Sequence, residues 1–551
     1  MRPALTLLAA AAAVIAGGPA LAQQRPDAGQ LLQENAARAL LPPAPAAPAP
    51  LPPVTAATPV APGGATVALQ RVTVSGNTLF SEAALVAALG PVAGKTFDFA
   101  GLNALADRIS NHYRTAGYPF ARAYLPPQDM QRGELTIAVL EGRYGAIVAH
   151  GDAELSAPGQ RFLSPLRPGS VIESQALERV TLILDDQPGV KSTPVVKPGR
   201  EVGTGDLAVE VRRAHRYAGE VGLDNDGNRY TGRRRVHVNL DVDSPLTLGD
   251  QLALQGMYTD EHMWFGSASY ALPLNASGLR GRIGYTHSYY ALADSFASLD
   301  ATGTADVASA GLSYPLIRSQ RRNLTLSGSV EHKRLNDRQG ATGSSSDKSS
   351  DALPLALNFD ARDTVLRGGV TYGAVSWTPG RLRLDGALAR VDAASARSAG
   401  RFNKVNIDLA RIQSVSAGFD VYGRVSAQWA SKNLDSSQKF GLGGRNGVRA
   451  YPSGEGYGDT GMLAQLELRY AVGAWLPYVF ADAGRVKANR ERWSEDGAGT
   501  RRLGGAGAGV RYGSGAVTGA LIVAWRTTGG APLSEPGKRQ PLAWANVAYR
   551  F

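Results

Sequence analysis

From about residue 215 onward the chain alternates. Val236, Val238, Leu240 and Val242 interleave with His237, Asn239, Asp241 and Asp243. The same period of two returns at 279–286, 323–330, 421–429 and 462–470. Each such strand has one apolar and one polar face. A soluble sandwich also alternates, but its strands are usually about 5–6 residues long. These runs are nearer to about 9–11 residues, the length that crosses a bilayer at a tilt. Lipid offers the backbone no hydrogen bonds, so the sheet has to close on itself. Residues 215–551 number 337. At roughly 21 residues per strand and connection that makes about 16 strands, an even number, as in single-chain bacterial barrels. The expected fold class is therefore mainly β, built on a 16-stranded transmembrane antiparallel β-barrel. Val547, Tyr549 and Phe551 share one face of the last strand, which would lie on lipid and close against the first.

The opening residues read as an export signal. Arg2 gives the positive start, residues 4–16 the apolar stretch, and Ala20-Leu21-Ala22 the small-x-small cleavage pattern, so 1–22 is expected to be removed. After Ala22 no run of about 18 apolar residues follows, so no membrane-spanning helix is expected. The absence of cysteine excludes disulfides and thiolate metal sites. The formal charge is +11, from 58 Lys and Arg against 47 Asp and Glu. The basic residues are spread along strands and turns, which fits lipopolysaccharide contacts or a polar barrel interior better than nucleic acid. The 65 glycines suit turns and barrel bends, and the 20 tyrosines suit interface girdles.

Between signal and barrel lie four segments. Residues 23–40 predict one short helix, with Leu31, Leu32, Ala36, Ala39 and Leu40 opposite Gln30, Gln33, Glu34 and Arg38. Alone it is too short to be stable, so it must dock. Residues 41–66 form a linker, with nine prolines among positions 41–62, largely polyproline II. Residues 67–142 predict an α+β unit. Ser81 caps its first helix, and Leu102, Leu105, Ile109 and Tyr113 line a second that ends at Gly117. Residues 143–214 repeat that plan, with a helix near 174–184 and strands near 190–198 and 206–212. Within the barrel, the Ser- and Gly-rich stretch 338–350 predicts an extracellular loop, and Ser244-Pro245 a periplasmic turn.

Several stretches resemble one family, the outer-membrane transporters of two-partner secretion. Tyr124-Leu125-Pro126-Pro127-Gln128, then Gly133-Glu134-Leu135 and Val139-Leu140-Glu141-Gly142, look like its first periplasmic repeat. Ser313-Tyr314-Pro315-Leu316-Ile317-Arg318-Ser319 looks like a recurring barrel hairpin. Gly447-Val448-Arg449-Ala450-Tyr451-Pro452, with Gly454-Glu455 and Gly458-Asp459, looks like the family's lumen loop. Phe480-Ala481-Asp482-Ala483-Gly484 looks like the strand that receives it. The resemblance runs in order from about Val67 to Phe551. It implies that the helix plugs the barrel, that the repeats are two POTRA domains collecting an unfolded substrate in the periplasm, and that the barrel is the conduit. One departure is Ala450, where the wider superfamily favours glycine; a methyl group restricts the turn.

No phosphate loop is present, so transport is expected to run on binding and folding free energy. The expected partners are a secreted β-helical exoprotein, adhesin or cytolysin, together with outer-membrane lipid and lipopolysaccharide. No cofactor, metal or nucleic acid is expected. The open sheet edge near Val190, Thr193, Val195 and Val196 is a candidate for strand addition by the substrate; it is equally readable as an ordinary packed strand. Arg449 and Asp482 are expected to form a charge-assisted bidentate bond, with Tyr451 and Phe480 packed beside it and Gly454 and Gly484 allowing close approach. Arg449 or Asp482 taken alone reads as a solvated lumen charge. Glu455 and Asp459 read as further loop anchors or, preferred, as wet charges; Arg318, Arg321 and Arg322 read as a solvated basic turn or, second, as a contact to anionic headgroups. The seven histidines, His112, His150, His215, His237, His262, His287 and His332, are scattered without metal-ligand spacing. Three rivals remain: a barrel-assembly factor of the same architecture, a barrel enzyme, and a diffusion porin. Two repeats with a plug helix favour secretion over assembly. No acidic, His or Ser cluster can be assembled for an enzyme, and a porin has no use for the first 200 residues.

Overall fold

The computed structural model describes residues 25–36, 61–493, 499–538 and 540–551. The export signal over 1–22 and most of the proline linker lie outside the described residues. Of the expected N-terminal helix, Ala28–Ala36 is helical.

The barrel closes. Its sheet runs from Tyr217–Asp224 to Leu542–Arg550, and these two strands pair antiparallel. Gly219 and Phe551 exchange both backbone hydrogen bonds, at 2.9 and 3.0 Å. The sheet has 17 strand segments, but Ser344–Ala352 and Leu355–Asp363 pair with the same two neighbours in one register. They are one strand, interrupted where Pro354 has no N–H to give. Sixteen antiparallel strands result. The apolar face of each predicted strand is the exposed one: Val236, Ile283, Leu326, Val425 and Leu466 point outward. That is unfavourable in water and favourable in lipid.

Of 338–350, expected as a loop, only 340–343 turn the chain; the serine-rich remainder is a strand. Ser344–Ala352 pairs with Arg322–Gln339 on one side and Gly369–Leu384 on the other. Two ladders override the poor β-propensity of serine and aspartate.

Both periplasmic units carry three-stranded sheets of one topology. In the first, Glu134–Leu140 lies between Arg71–Ser75, parallel, and Arg122–Tyr124, antiparallel. In the second, Thr204–Arg213 lies between Arg143–Gly151, parallel, and Val190–Pro198, antiparallel. Helices Glu82–Leu89 and Phe99–Thr115 cover the first, and Ala153–Phe162 and Ser174–Asp185 the second. Sequence reasoning missed Ala153–Phe162 because Pro158 lies inside it. Proline leaves the carbonyl of Glu154 without its helical donor, and Glu154 is exposed, so water can serve.

Glu141 ties the first unit together. Its buried carboxylate accepts from the amides of Thr78 at 2.6 Å and Leu79 at 2.9 Å, and from the Tyr113 hydroxyl at 3.0 Å. The Thr78 hydroxyl and Arg143 also donate to it. Burial acts to raise its pKa, but these donors outweigh burial and hold the carboxyl below the usual range. A carboxyl so lowered contributes stability that is complete above about pH 4.3 and is lost as pH falls through its lowered value. Glu141→Ala is expected to remove about 3 kcal/mol from this unit. The check is amide hydrogen exchange in the full chain: residues 71–75 and 134–140 should exchange faster, with the barrel unchanged.

The second unit is docked on the barrel mouth. Arg318 donates to both carboxylate oxygens of Asp186, each at 2.6 Å. Arg179 donates to the Pro315 carbonyl at 2.6 Å, and the Ser244 hydroxyl to the Pro188 carbonyl at 2.8 Å. The basic turn expected to be solvated is thus an inter-domain clasp at Arg318.

Candidate functional site: a loop and a helix inside the barrel

Between strands Phe419–Ala430 and Thr460–Tyr470 a long segment folds into the lumen rather than out of it. Leu442, Val448, Ala450 and Tyr451 are buried against inward-facing Leu463, Tyr478, Phe480, Val486, Leu503 and Trp544. At the centre stands Arg449, 2% exposed. Its Nε and Nη2 donate to the two oxygens of Asp482 at 2.9 and 2.6 Å, a side-on bidentate pair. Its backbone amide adds a third bond to Asp482 at 3.0 Å. The guanidinium lies 3.7 Å from the centre of the Phe480 ring, a cation–π stack. Trp544 donates its indole N–H to the Arg449 carbonyl at 2.8 Å.

Sequence reasoning missed a third partner. Arg449 Nη1 also donates to Glu467 at 2.5 Å. Glu467 further holds Arg469 and Arg511, at 2.7 and 3.0 Å. The available signal was its inward position between Gln465 and Arg469 in an alternating strand.

Tyr451 is fully buried and its hydroxyl donates to the Thr528 carbonyl at 2.7 Å, with the Gly530 carbonyl at 2.9 Å. A Cβ on Gly484 would come within 2.7 Å of Leu442, so close approach does require glycine there. Gly454 has φ +89° and faces Glu34 of the N-terminal helix rather than the wall. Ala450 needs no left-handed backbone: its methyl meets Gly505, where an added Cβ would lie 2.5 Å away. Glycine on the opposite strand makes the room. Glu455 and Asp459 are not wet. Glu455 accepts from the amides of Leu533 and Ser534 at 2.9 and 2.8 Å and pairs with Arg501 at 2.7 Å. Asp459 accepts from the amides of Leu434 and Arg490 at 3.0 and 2.7 Å and pairs with Lys439 at 3.2 Å. Loop amides supply donors that composition does not reveal.

The N-terminal helix lies in the same lumen. Ala28, Leu31 and Leu32 are buried with inward-facing Tyr290, Ala305 and Leu335. Asp27 caps the helix by accepting from the Gln30 amide at 2.8 Å. Its other oxygen takes Lys348 Nζ at 2.9 Å and the Ser436 hydroxyl at 2.7 Å. Lys348 also pairs with Asp435 at 3.0 Å, and Asp337 accepts from the Ala28 amide at 2.8 Å. On the helix's polar side Glu34 accepts from Asn228 at 2.8 Å. Wall and loop hold the helix together.

The periplasmic edge proposed for substrate does not fit its role. Val190–Pro198 is an edge strand, but Thr193 and Val195 direct their backbone to the neighbouring strand. The outward positions are Val190, Ser192, Pro194, Val196 and Pro198. The Val190 amide is paired with the Gln187 carbonyl at 3.1 Å and the Ser192 amide with Asp185 at 2.7 Å. The two prolines have no N–H. Only Val196 keeps an outward donor, too few for a ladder. On the opposite edge, the Gln160 amide bonds the Ala149 N–H at 2.7 Å and the Ile147 carbonyl at 3.0 Å. In the first unit Gln128 bonds both backbone groups of Thr136, at 2.7 and 2.8 Å, on the middle strand where Arg122–Tyr124 no longer covers it.

Two α+β repeats, the second clasped to the mouth of a closed 16-stranded barrel, with a loop and helix inside that barrel, define an outer-membrane transporter of proteins. The haemolysin secretion/activation protein ShlB/FhaC/HecB model matches residues 203–512, and the ShlB-type POTRA domain model matches 67–142. The chain belongs to the ShlB/FhaC/HecB family, whose members are two-partner secretion transporters. It is 30% identical over 386 residues to the heme/hemopexin transporter protein HuxB of Haemophilus influenzae, covering 68% of this chain and 67% of that one. It is 27% identical over 497 residues to the outer membrane transporter CdiB of Escherichia coli, covering 85% of this chain and 79% of that one. The solved structure of CdiB from Escherichia coli shares the fold, with TM-score 0.72, 23% identity, and 91% and 93% of the two chains covered.

Proposed function

We propose that the chain exports one unfolded exoprotein, a β-helical adhesin or cytolysin, through its lumen without ATP and without a catalytic step of its own. The periplasmic repeats capture the substrate, the helix leaves, and folding outside the cell draws the chain through. The observation that carries this reading is the lumen itself. It is filled by a helix and a loop held by side-chain bonds, and its mouth is clasped to the second periplasmic repeat. Relatives point the same way, since they are a heme/hemopexin transporter and a hemolysin transporter. Capture by strand addition falls to the edge capped by Gln160 and to the stretch of the first unit's middle strand that Arg122–Tyr124 leaves uncovered, capped at Thr136 by Gln128. There an entering peptide group replaces a side-chain amide bond for bond; the Val190, Thr193, Val195 and Val196 row offers no such exchange. The outside of the barrel contacts lipid and lipopolysaccharide.

The test is deletion of this gene in its native cell. The account expects the exoprotein encoded beside it to vanish from the medium while other outer-membrane proteins keep their levels. A general fall in outer-membrane proteins would instead indicate an assembly factor.

A further inference from the structure

On the outer wall, four strands place four side chains in one cross-strand row. His332 is opposite Asp351, Asp351 opposite Arg381, and Arg381 opposite Arg401. All four point outward, because Arg381 shares its face with exposed Val375 and Trp377, Arg401 with Ile407, and His332 with Val330. Asp351 is the only carboxylate in the row, and it is already engaged by His332 at 2.6 Å and by Arg383 at 2.5 Å. Arg381 and Arg401 are exposed, and among the described residues neither makes an ion pair. Two like charges directly opposite on paired strands repel at a Cβ separation of about 4.5–5.5 Å. A third molecule carrying negative charge would relieve this.

The surroundings state what kind of molecule. Directly below the arginines an open groove of about 820 Å³ has an apolar floor that includes Ala310, Val330 and Leu353. The strand carrying Arg381 runs toward the extracellular side, and Arg381 stands four residues beyond Trp377. Four residues of tilted strand put it about 10 Å above that tryptophan. Outward tryptophan marks the lipid interface, so the arginine pair stands at headgroup height in the outer leaflet. Guanidinium groups bind phosphate bidentately.

We propose that this groove binds the phosphorylated glycolipid of the outer leaflet, lipid A: its phosphates bridge Arg381 and Arg401, and an acyl chain lies over Val330 and Leu353. Native mass spectrometry of the purified full chain tests it, with three probes: bisphosphorylated lipid A, the same lipid dephosphorylated, and phosphatidylglycerol. The expected result is binding of the first at least tenfold tighter than of either other. The double variant Arg381→Glu/Arg401→Glu should lose that preference while its heat-modifiable gel mobility persists. If charge reversal disturbs folding, Arg381→Gln/Arg401→Gln serves in its place, with the same loss expected. Equal binding by wild type and the folded variant would overturn the site. Equal binding of dephosphorylated lipid would overturn the phosphate contact, and equal binding of phosphatidylglycerol the choice of glycolipid.

Discussion

Arg449→Ala is expected to abolish export while the barrel keeps its heat-modifiable mobility. Among the described residues Asp482 has no other cationic partner, and its side chain is fully buried. Removing the arginine leaves a charge with neither water nor counter-ion, at a cost of about 3–5 kcal/mol. That shifts the docked loop by about a hundredfold or more toward release, since each 1.4 kcal/mol is tenfold. Arg449→Lys should fail as well, because an ammonium cannot make the side-on pair or the flat stack on Phe480. Glu467→Gln should cost less. The arginines it strands, Arg469 and Arg511, are 13% and 36% exposed in their side chains and can turn to water. Arg449→Ala/Asp482→Ala should recover part of the loop docking that Arg449→Ala loses, because no buried charge is then orphaned. Export assayed beside gel mobility separates these outcomes, and normal export by Arg449→Ala would remove the loop anchor.

Deleting residues 25–36 is expected to raise single-channel conductance severalfold without harming barrel closure. A helix with its side chains is about 10–12 Å across, so its removal clears much of the lumen. A single substitution should act in the same sense. Gly29 lies so close to the loop that a Cβ on it would come within 2.4 Å of the Ser436 hydroxyl and 2.6 Å of the Ser437 amide. Gly29→Leu therefore cannot dock without moving backbone. Planar-bilayer recordings of both variants check the plug, and unaltered conductance in both would contradict it.

The barrel was legible because its lipid face is written in alternate residues; Val425 and Trp429 declare the outside and Arg424 and Gln428 the inside. Alternation says that Glu467 faces the lumen, but not that Arg449 crosses the lumen to meet it. The same holds for Lys348, whose partners Asp27 and Asp435 are 321 and 87 residues away in sequence. Such contacts are set by how the sheet curls, which no local period records. Residues 344–350 were misread because paired neighbours, not serine, decide that they form a strand. The Val190 edge was found as an edge, but what blocks it is a carboxylate, a turn and two prolines facing one way. Registration with the next strand had to be known first.

The claim beneath all of this is that an exported chain passes through the wet interior of the barrel. Asn406 and Ile407 are neighbours on one strand and face opposite sides, Ile407 outward and Asn406 inward. A photo-crosslinking side chain placed at each in turn, during active export, reads the route. The account predicts adducts with the exoprotein from position 406 and none from 407. No adduct from 406, or equal yields from both, would contradict it.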